Sequence, residues 1–371
     1  MTIRKFLIVL AAFAMIVAAC GDDDGTGDTT TAAPTTVAPT TVAPTTTAAP
    51  TTTAEPMAAV GSAENPIQVL FVPSVSAQQI TSGGDVMAAA LKEATGLEFE
   101  VVVPTSYAAT IEAMCAAPET SIGFIPGLGY VLANELCGVD VSFAAVRFDL
   151  DVYYAQFIVR RDSGIETLAD LDGKTWAYPD PGSTSGYLAP LPQLEAAGVT
   201  VAEEVTGLGH TGTVRAVYNG EADFGTTFFS PPLLPEGTWQ YGDAPDIPDE
   251  FVPECAVTPE DRLYCGDYRV LDARANLREE APDVVQQVKI LDISVPIPND
   301  TLSFAPNFPA DVRTMIEDAL VAFAETDAWA ESIGHPDFYD WSGLAPTNDA
   351  AYDPVRLMIQ AAGITLENLG E

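Results

Sequence analysis

The stretch 172-DGKTWAYPDPGSTSGYLAP-190 joins a short apolar strand to a turn with proline and glycine, followed by three consecutive hydroxyl side chains. Residues 174–178 predict the strand, and the turn lets the chain enter a helix at Ser183. The first backbone N–H groups of a helix have no partner and carry partial positive charge. Ser183, Thr184 and Ser185 place hydroxyl donors beside those groups, which favours binding of a small anion such as phosphate or a phosphonate. Capping of the helix is the alternative role, and it needs only one hydroxyl.

Two other motifs do not match this segment. A hydrolase nucleophile elbow, G-x-S-x-G, needs serine at its centre, where Thr184 stands. The sequence 173-GKT-175 lacks the first glycine of a phosphate-binding P-loop, because Leu168 occupies that position, and its lysine precedes a strand rather than a helix. A secreted serine hydrolase that pairs one of the loop serines with His210 is the alternative from another functional class, although the sequence offers it no third group or oxyanion hole.

Strands and helices alternate along most of the chain. Residues 67–72 and 98–103 predict buried strands with a helix at 85–96 between them, and similar units follow with short, glycine-marked connections. This pattern predicts an α/β fold with a mostly parallel sheet. A second unit begins near Tyr153, and we expect the chain to return to the first near Pro296, leaving a ligand cleft between two lobes.

The N-terminus predicts an exported, lipid-anchored protein. Arg4 and Lys5 precede the apolar run 6-FLIVLAAFAMIVAA-19, as in a signal peptide. The run ends in 17-VAAC-20, which resembles a bacterial lipobox, so we expect the mature chain to begin at a lipidated Cys20 outside the cytoplasm, anchored to the cell membrane. The predicted segments are a signal peptide at 1–19, a Thr/Ala/Pro-rich disordered linker at 20–64, the first part of lobe 1 at 65–152, lobe 2 at 153–294 and the return of lobe 1 at 295–371.

Charge and cysteine content narrow the function further. The formal net charge of −38 argues against binding nucleic acid. No C-x-x-C motif occurs and the chain has only two histidines, His210 and His335, so we predict neither a metal site nor a cofactor. Four cysteines remain besides Cys20, and an even number in an oxidising compartment favours two disulfides. Three pairings are possible, of which we predict the local one, Cys115–Cys137 and Cys255–Cys265.

The segment 172–190 resembles the signature segment of the phosphate/phosphite/phosphonate-binding proteins of ABC transporters. The similarity spans about residues 66 to 371 and continues, in order, at 71-FVPS-74, 107-YAATIEAM-114, 154-YAQFIVRRDSGI-165, 210-HTGTVRAVYNGEADFG-225, 296-PIPNDTL-302 and 345-APTNDAAYDPVRLM-358. The resemblance implies the two-lobed type II periplasmic-binding fold and a protein that is not an enzyme but delivers its ligand to a membrane permease. We expect a monomer, because lobe closure must leave both rims free for that permease.

The resemblance also implies a set of ligand-binding residues. The loop hydroxyls match the family's phosphoryl-binding groups, two tyrosines match residues that line the site, the histidine reaches the anion from the second lobe, and an acidic residue lies near the returning hinge. The candidates are Ser183, Thr184, Ser185, Tyr107, Tyr154, His210, Asp300 and, within the matched segment 71–74, Ser74.

One departure from the family bears on the ligand. Members that bind aminoethylphosphonate carry an acidic residue about twenty positions after the histidine, where this chain has Ser230 in an apolar stretch with Phe228 and Phe229. We therefore expect a cationic aminoalkyl group to be disfavoured and H, OH or CH₃ on phosphorus to be preferred. A carboxylate, Asp300 or Asp223, would select a protonated oxyanion over sulfate. A sulfonate or another organic anion on the same fold is the alternative, and the sequence leaves the exact ligand open.

Overall fold

A computed structural model describes residues 58–369. The predicted signal peptide, Cys20 and most of the predicted linker lie outside the described residues. Among residues 58–369, no helix is both long enough and apolar enough to cross a membrane.

The first part of the chain alternates between strands and helices, as the sequence predicts. The helix between the first two strands ends at Gly96, whose left-handed conformation (φ 74°) suits glycine and ends the helix. The elements in chain order are β1 (Ile67–Phe71), α1 (Ala77–Thr95), β2 (Phe99–Val102), α2 (Tyr107–Ala116), β3 (Ser121–Ile125), α3 (Gly127–Cys137) and β4 (Asp140–Val146).

The middle of the chain builds a second sheet and a small three-stranded one. Its strands are β5 (Val152–Arg160), β6 (Thr175–Tyr178), β7 (Glu203–Thr206), β8 (Phe224–Phe229), β9 (Cys255–Val257), β10 (Leu263–Cys265), β11 (Tyr268–Arg269), β12 (Val288–Ile293) and β13 (Ile297–Pro298). Its α-helices are α4 (Leu191–Ala196), α5 (His210–Asn219) and α6 (Val284–Gln287), and a π-helical turn covers Thr184–Leu188.

The last part of the chain returns to the first sheet. It contributes β14 (Thr301–Phe304), α7 (Ala310–Ala324), β15 (Gly343–Pro346) and α8 (Asp353–Ala362). Short 3₁₀ turns lie at Leu168–Leu171, Val252–Glu254, Ala273–Leu277, Asp327–Glu331, Asp349–Tyr352 and Glu367–Leu369.

The two large sheets are mixed, which corrects the expectation of a mostly parallel sheet. The first has the order β15-β4-β14-β3-β1-β2 and the second β12-β5-β8-β6-β7, with β13 beside β5. Parallel pairs are confined to β1 with β2 and β3, and to β6 with β7 and β8. The strands next to the crossings between the sheets, β5 and β14, run antiparallel to their neighbours because the chain enters each sheet there from the other lobe. The two-lobed α/β fold itself is as predicted.

Each lobe has its own hydrophobic core. One buried cluster surrounds the first sheet, and two lie on opposite faces of the second. Successive side chains of β5 point to opposite faces of the second sheet. Ile158 belongs to one cluster, and its neighbours Phe157 and Val159 belong to the other. The chain crosses between the sheets twice, from β4 to β5 and from β13 to β14, and these two crossings form the hinge.

Both disulfides have the predicted pairing. Cys115–Cys137 joins the ends of α2 and α3 in the first lobe. Cys255–Cys265 joins β9 to β10 in the small sheet, within a segment rich in proline that has little other regular structure. The second bridge therefore stabilises the segment just before Leu271 and Asn276, two residues that line the cleft.

Candidate ligand-binding site

A cavity of about 70 Å³ lies between the lobes. This is room for about five waters, the size of a small oxyanion. Both lobes contribute to its wall, and six of the nine predicted ligand-binding residues lie there. The polar lining side chains are Ser74, Tyr107, Arg147, Tyr153, Ser183, Ser185, His210, Ser230, Asn276, Asp300, Tyr339 and Asp340.

The lobes touch each other around this cavity, which is therefore in its closed form. The contacts join strand ends and helix starts of one lobe to loops of the other. They are Leu128 N–H to Thr184 Oγ1 (2.8 Å), His210 N–H to the Ser74 carbonyl (3.1 Å), Tyr107 N–H to the Asp180 carboxylate (3.5 Å) and the Arg278–Asp337 ion pair (2.7 Å).

The hydroxyl loop caps the turn that follows it and also lies in the cavity wall. It follows β6, and Ser183 accepts a hydrogen bond from the Gly186 N–H (3.1 Å), so it caps the π-helical turn. Ser183 and Ser185 also line the cavity, and both are buried. The start of the turn thus places two hydroxyl groups in the cavity wall, at a helix start, where backbone N–H groups lack helical partners. A π-helical turn at such a position is a frequent feature of functional sites.

Thr184 does not line the cavity. Its buried Oγ1 accepts the N–H of Leu128 at the start of α3, so it ties the loop to the first lobe. In a helical turn three consecutive side chains point in different directions, and only the first and third point into the cleft. Of the three hydroxyls that the sequence predicts to bind the anion, the structure therefore places two in the cavity wall and Thr184 in a supporting position.

His210 begins α5 and reaches the cavity as a neutral donor. Its Nδ1 accepts the N–H of Phe228 (3.3 Å), which places the proton of the neutral ring on Nε2. Burial, and then the charge of Arg147, lowers the pKa of His210 to about 3. A histidine with such a pKa is a poor general base, and no serine hydroxyl of residues 58–369 bonds to its ring. The serine–histidine pair of the hydrolase alternative is therefore not formed.

The low pKa of His210 predicts a loss of stability in acid. The unfolded chain binds this proton below about pH 6.5 while the folded chain does not, so acid favours unfolding between about pH 6.5 and the folded pKa of about 3. Relative to neutral pH, we expect this group to remove about 2 kcal/mol of unfolding free energy by about pH 5. Urea unfolding of the ligand-free wild type and of His210→Gln at both pH values measures it. Equal losses in the two proteins would contradict the assignment.

Arg147 lines the cavity but is not among the residues that the sequence predicts for the site. It follows β4 in the first crossing and donates to Asp300 (2.7 Å) and Asn299 (3.0 Å) in the second, and to the Tyr339 carbonyl (2.8 Å). Its side chain is largely buried and also lines the cavity. Arg147 therefore joins the two halves of the hinge and brings positive charge to the cleft. Asp300 lies in the cavity wall as this arginine's partner.

Three phenol groups close the wall of the cavity. Tyr107 begins α2, Tyr153 lies in β5, and Tyr339 donates to the Val72 carbonyl (3.1 Å). Burial is the main cause that raises the pKa of all three, and Asp300 raises it further. All three phenols are therefore protonated at neutral pH and are neutral hydrogen-bonding groups.

Tyr154 is a wrong assignment, and its neighbour Tyr153 takes the position in the cleft. Consecutive residues of a strand point to opposite faces, so Tyr154 packs in the core of the second lobe against Phe229 and Trp239 and stacks on Tyr241. Tyr153 faces the cavity instead.

The remaining candidates divide between the cavity and the surface. The Ser74 hydroxyl is buried in the cavity wall beside the Tyr339 phenol, where a ligand can reach it. Asp223 is exposed, outside the cavity, where its carboxylate accepts the N–H of Thr175 at the start of β6 (2.9 Å). Its predicted part in selecting the ligand is therefore wrong.

The cavity wall around Phe228 and Ser230 is less apolar than the sequence indicates. Phe228 and Ser230 line it, whereas Phe229 lies on the opposite face of β8 and packs in the core. Asn276 and Asp340 add polar groups from distant parts of the chain. In the described part of the chain, no group of three or more His, Cys, Asp and Glu side chains is placed to hold a metal ion.

A family model matches residues 69–352, and it describes the periplasmic substrate-binding protein of a phosphonate ABC transporter. The "Phosphate-import protein PhnD" of Mycolicibacterium smegmatis is 25% identical over 311 residues, which cover 80% of this chain and 86% of that protein.

Solved structures share the fold at low identity. A binding protein component of an ABC phosphonate transporter from Pseudomonas aeruginosa has a TM-score of 0.59 at 18% identity, covering 79% of this chain and 85% of that one. PhnD1 from Prochlorococcus marinus, solved in complex with methylphosphonate, has a TM-score of 0.59 at 14% identity, covering 80% and 98%.

These matches confirm the family resemblance, the two-lobed fold and the absence of enzymatic activity that it implies. Because the family model covers most of residues 58–369, the role of a substrate-binding protein follows from membership of that family. The chain belongs to the phosphonate-binding family, the extracytoplasmic substrate-binding proteins that partner the permease of an ABC transporter.

Proposed function

We propose that this protein captures a small phosphorus oxyanion, a phosphonate, phosphite or phosphate, between its lobes and delivers it to its permease. The observation that carries the proposal is the convergence on one closed cavity of the Ser183 and Ser185 hydroxyls, the His210 Nε2 donor and the Arg147 guanidinium. Hydrogen-bond donors with one nearby cation are suited to the oxygens of such an anion. The names of relatives, phosphate import in one and a methylphosphonate complex in another, support this ligand class.

The strongly acidic chain does not oppose anion binding. Exposed charges more than about 10 Å from the cavity are screened at physiological ionic strength. Arg147 and the donors of the hydroxyl loop act at contact distance in a partly dry site, where electrostatic interactions are stronger than in water. Local groups therefore determine the sign of the ligand charge.

Asp300 provides selection between oxyanions in this proposal. One of its carboxylate oxygens accepts from Arg147, and the other is available to accept from a protonated phosphoryl oxygen. Phosphate and phosphonates carry such a proton near neutral pH, whereas sulfate does not. Sulfate would instead place an oxygen against a carboxylate, which is unfavourable.

Thermal unfolding tests this selection. Methylphosphonate, phosphite or phosphate at a hundred times its dissociation constant is expected to stabilise the wild type by about 2.7 kcal/mol, and sulfate is expected to have no effect. In Asp300→Asn the repulsion is removed, so sulfate should begin to raise the melting temperature. The exposed Asp223→Asn is the matched control and should behave as wild type. An Asp300→Asn protein that still ignores sulfate would overturn the role of Asp300.

The same proposal includes the arrangement of the whole chain. We assign residues 65–152 and 295–371 to lobe 1 and 153–294 to lobe 2, with residues 20–64 as a tether from a lipidated Cys20 to the membrane. One copy would act alone, because both rims of the cleft must face the permease.

Lipid attachment is tested by metabolic labelling with an alkyne fatty acid in the producing cells. We expect label on the wild-type protein and its recovery with membranes, and neither for Cys20→Ser, because only the thiol at that position is expected to take a lipid. Ser163→Ala, an exposed substitution in the folded part, is the control for expression. Membrane recovery of an unlabelled Cys20→Ser protein equal to wild type would rule out the anchor.

A further inference from the structure

A second cavity of about 30 Å³ adjoins the first. The two cavities share Leu271, Asn276, Pro336 and Asp340 in their walls, so a ligand group can extend from one into the other. The second cavity has room for about two waters, the size of a carboxylate. Its wall contains Arg269 of β11 and Arg262, which directly precedes β10 in the disulfide-linked small sheet.

Arg262 and Arg269 are exceptions among the basic residues of this acidic protein. Every lysine and arginine of residues 58–369 forms an ion pair with another described residue except Lys174, Arg262 and Arg269. Two of the three line the same small cavity. Neither guanidinium group makes a side-chain hydrogen bond within the described part of the chain, although both residues are half-buried. A guanidinium has five N–H donors, and leaving them without acceptors in a partly buried position is unfavourable.

The guanidinium groups of Arg262 and Arg269 are the cations of this cavity that have no ion-pair partner among residues 58–369. Arg278 and Asp261 also line it, and Arg278 is bound by both Asp261 and Asp337, so its charge is already balanced. Burial, and then the charge of Arg262, lowers the pKa of Arg269. Asp340, which both cavities share, interacts electrostatically with both arginines but makes no ion pair with either. Its single charge faces both guanidinium groups and Arg147 as well.

We propose that Arg262 and Arg269, with the Asn276 amide, form a second anion subsite for a carboxylate or similar anionic group carried by the phosphorus substituent of the ligand. The substrate class is then an organophosphonate with an acidic side arm of one or two carbons. This rests on the proposed function, since the phosphorus end occupies the first cavity. It also gives a physical reason why a cationic aminoalkyl group is disfavoured, because that group would meet the two guanidinium groups.

Calorimetric titration with methylphosphonate, phosphonoacetate, 3-phosphonopropionate and 2-aminoethylphosphonate tests the subsite. We expect at least one of the two carboxylate-bearing ligands to bind the wild type about tenfold to a hundredfold more tightly than methylphosphonate, as for one added charge-assisted contact. In Arg262→Met/Arg269→Met this advantage should disappear while methylphosphonate affinity is unchanged. Lys174→Met, which removes the third unpaired cation at a site outside both cavities, should change neither.

Three results would overturn the subsite. The first is that the carboxylate-bearing ligands still bind more tightly than methylphosphonate in the double variant. The second is that they bind the wild type no more tightly than methylphosphonate does, a result that does not depend on whether the double variant folds. The third is that 2-aminoethylphosphonate binds more tightly than methylphosphonate and loses this preference in Asp340→Asn. That result would mean that Asp340 binds a cationic group of the ligand where the two cavities meet. In each case methylphosphonate binding still supports the proposed function, whereas loss of binding to every phosphorus oxyanion would remove both.

Discussion

Replacing Ser183 and Ser185 together with alanine is expected to weaken binding of phosphorus oxyanions by about a hundredfold or more. Both hydroxyls line the closed cavity and are buried there, so each is expected to donate to a charged oxygen. A hydrogen bond to a charged group contributes about 1.5–3 kcal/mol, and two of them correspond to roughly 10²- to 10⁴-fold in affinity. Calorimetric titration of the double variant and of both single variants measures the effect.

The controls separate ligand contacts from damage to the loop. Ser183 also caps the π-helical turn, so Ser183→Ala is expected to lose about 1 kcal/mol of unfolding free energy as well. Ser185→Ala removes no cap and should weaken binding without that loss. Ser163→Ala, in an exposed turn of the same lobe, should leave affinity unchanged. Full affinity in the double variant would show that the hydroxyl loop does not hold the ligand.

Replacing Arg147 with methionine is expected to abolish measurable binding and to destabilise the protein. The substitution removes the cation of the cavity and leaves Asp300 largely buried without its partner. Breaking a buried ion pair from one side costs about 3–5 kcal/mol, and the partial exposure of both side chains here reduces the expected loss to about 2–3 kcal/mol. Urea unfolding and titration with methylphosphonate measure the two effects.

The double variant Arg147→Met/Asp300→Asn distinguishes the two roles of the arginine. Without the unpaired carboxylate, most of the lost unfolding free energy should return, because two neutral side chains replace the ion pair. Binding should not return, because the cation that faces the ligand is still missing. Recovery of binding together with stability would mean that Arg147 supports only the hinge.

The strands and the order of the lobes could be predicted because they depend on local patterns. The strands predicted at residues 67–72, 98–103 and 174–178 appear within a residue or two of those positions. The first helix is longer than the predicted range 85–96 and includes Gly83 and Gly84. It begins at Ala77, capped by Ser76, and a side chain at position 84 would lie 2.8 Å from Val101. Those glycines serve close packing, which depends on a distant strand.

The site was predicted less completely because its geometry depends on one-residue steps and long-range contacts. The sequence predicts Tyr154 in the site, whereas its neighbour Tyr153 lies there. Successive side chains of a strand point to opposite faces of the sheet, so an error of one residue moves the side chain from the cavity to the core. Thr184 carries a hydroxyl group like its two neighbours. Only its hydrogen bond from the Leu128 N–H shows that it ties the loop to the first lobe instead of lining the cavity. Arg147 had no signal in the sequence, since a lone arginine in a turn is common and its importance comes from meeting Asp300 across the hinge.

The central claim is that the cleft holds a phosphorus oxyanion. Calorimetric titration of the purified protein, freed of carried-over ligand, with phosphate, phosphite, methylphosphonate, aminoethylphosphonate and sulfate tests it most directly. The account predicts saturable one-to-one binding of at least one phosphorus oxyanion without a cationic arm, and no binding of sulfate. Failure of all four phosphorus compounds to bind, or preference for sulfate, would contradict it and direct the search to another organic anion on the same fold.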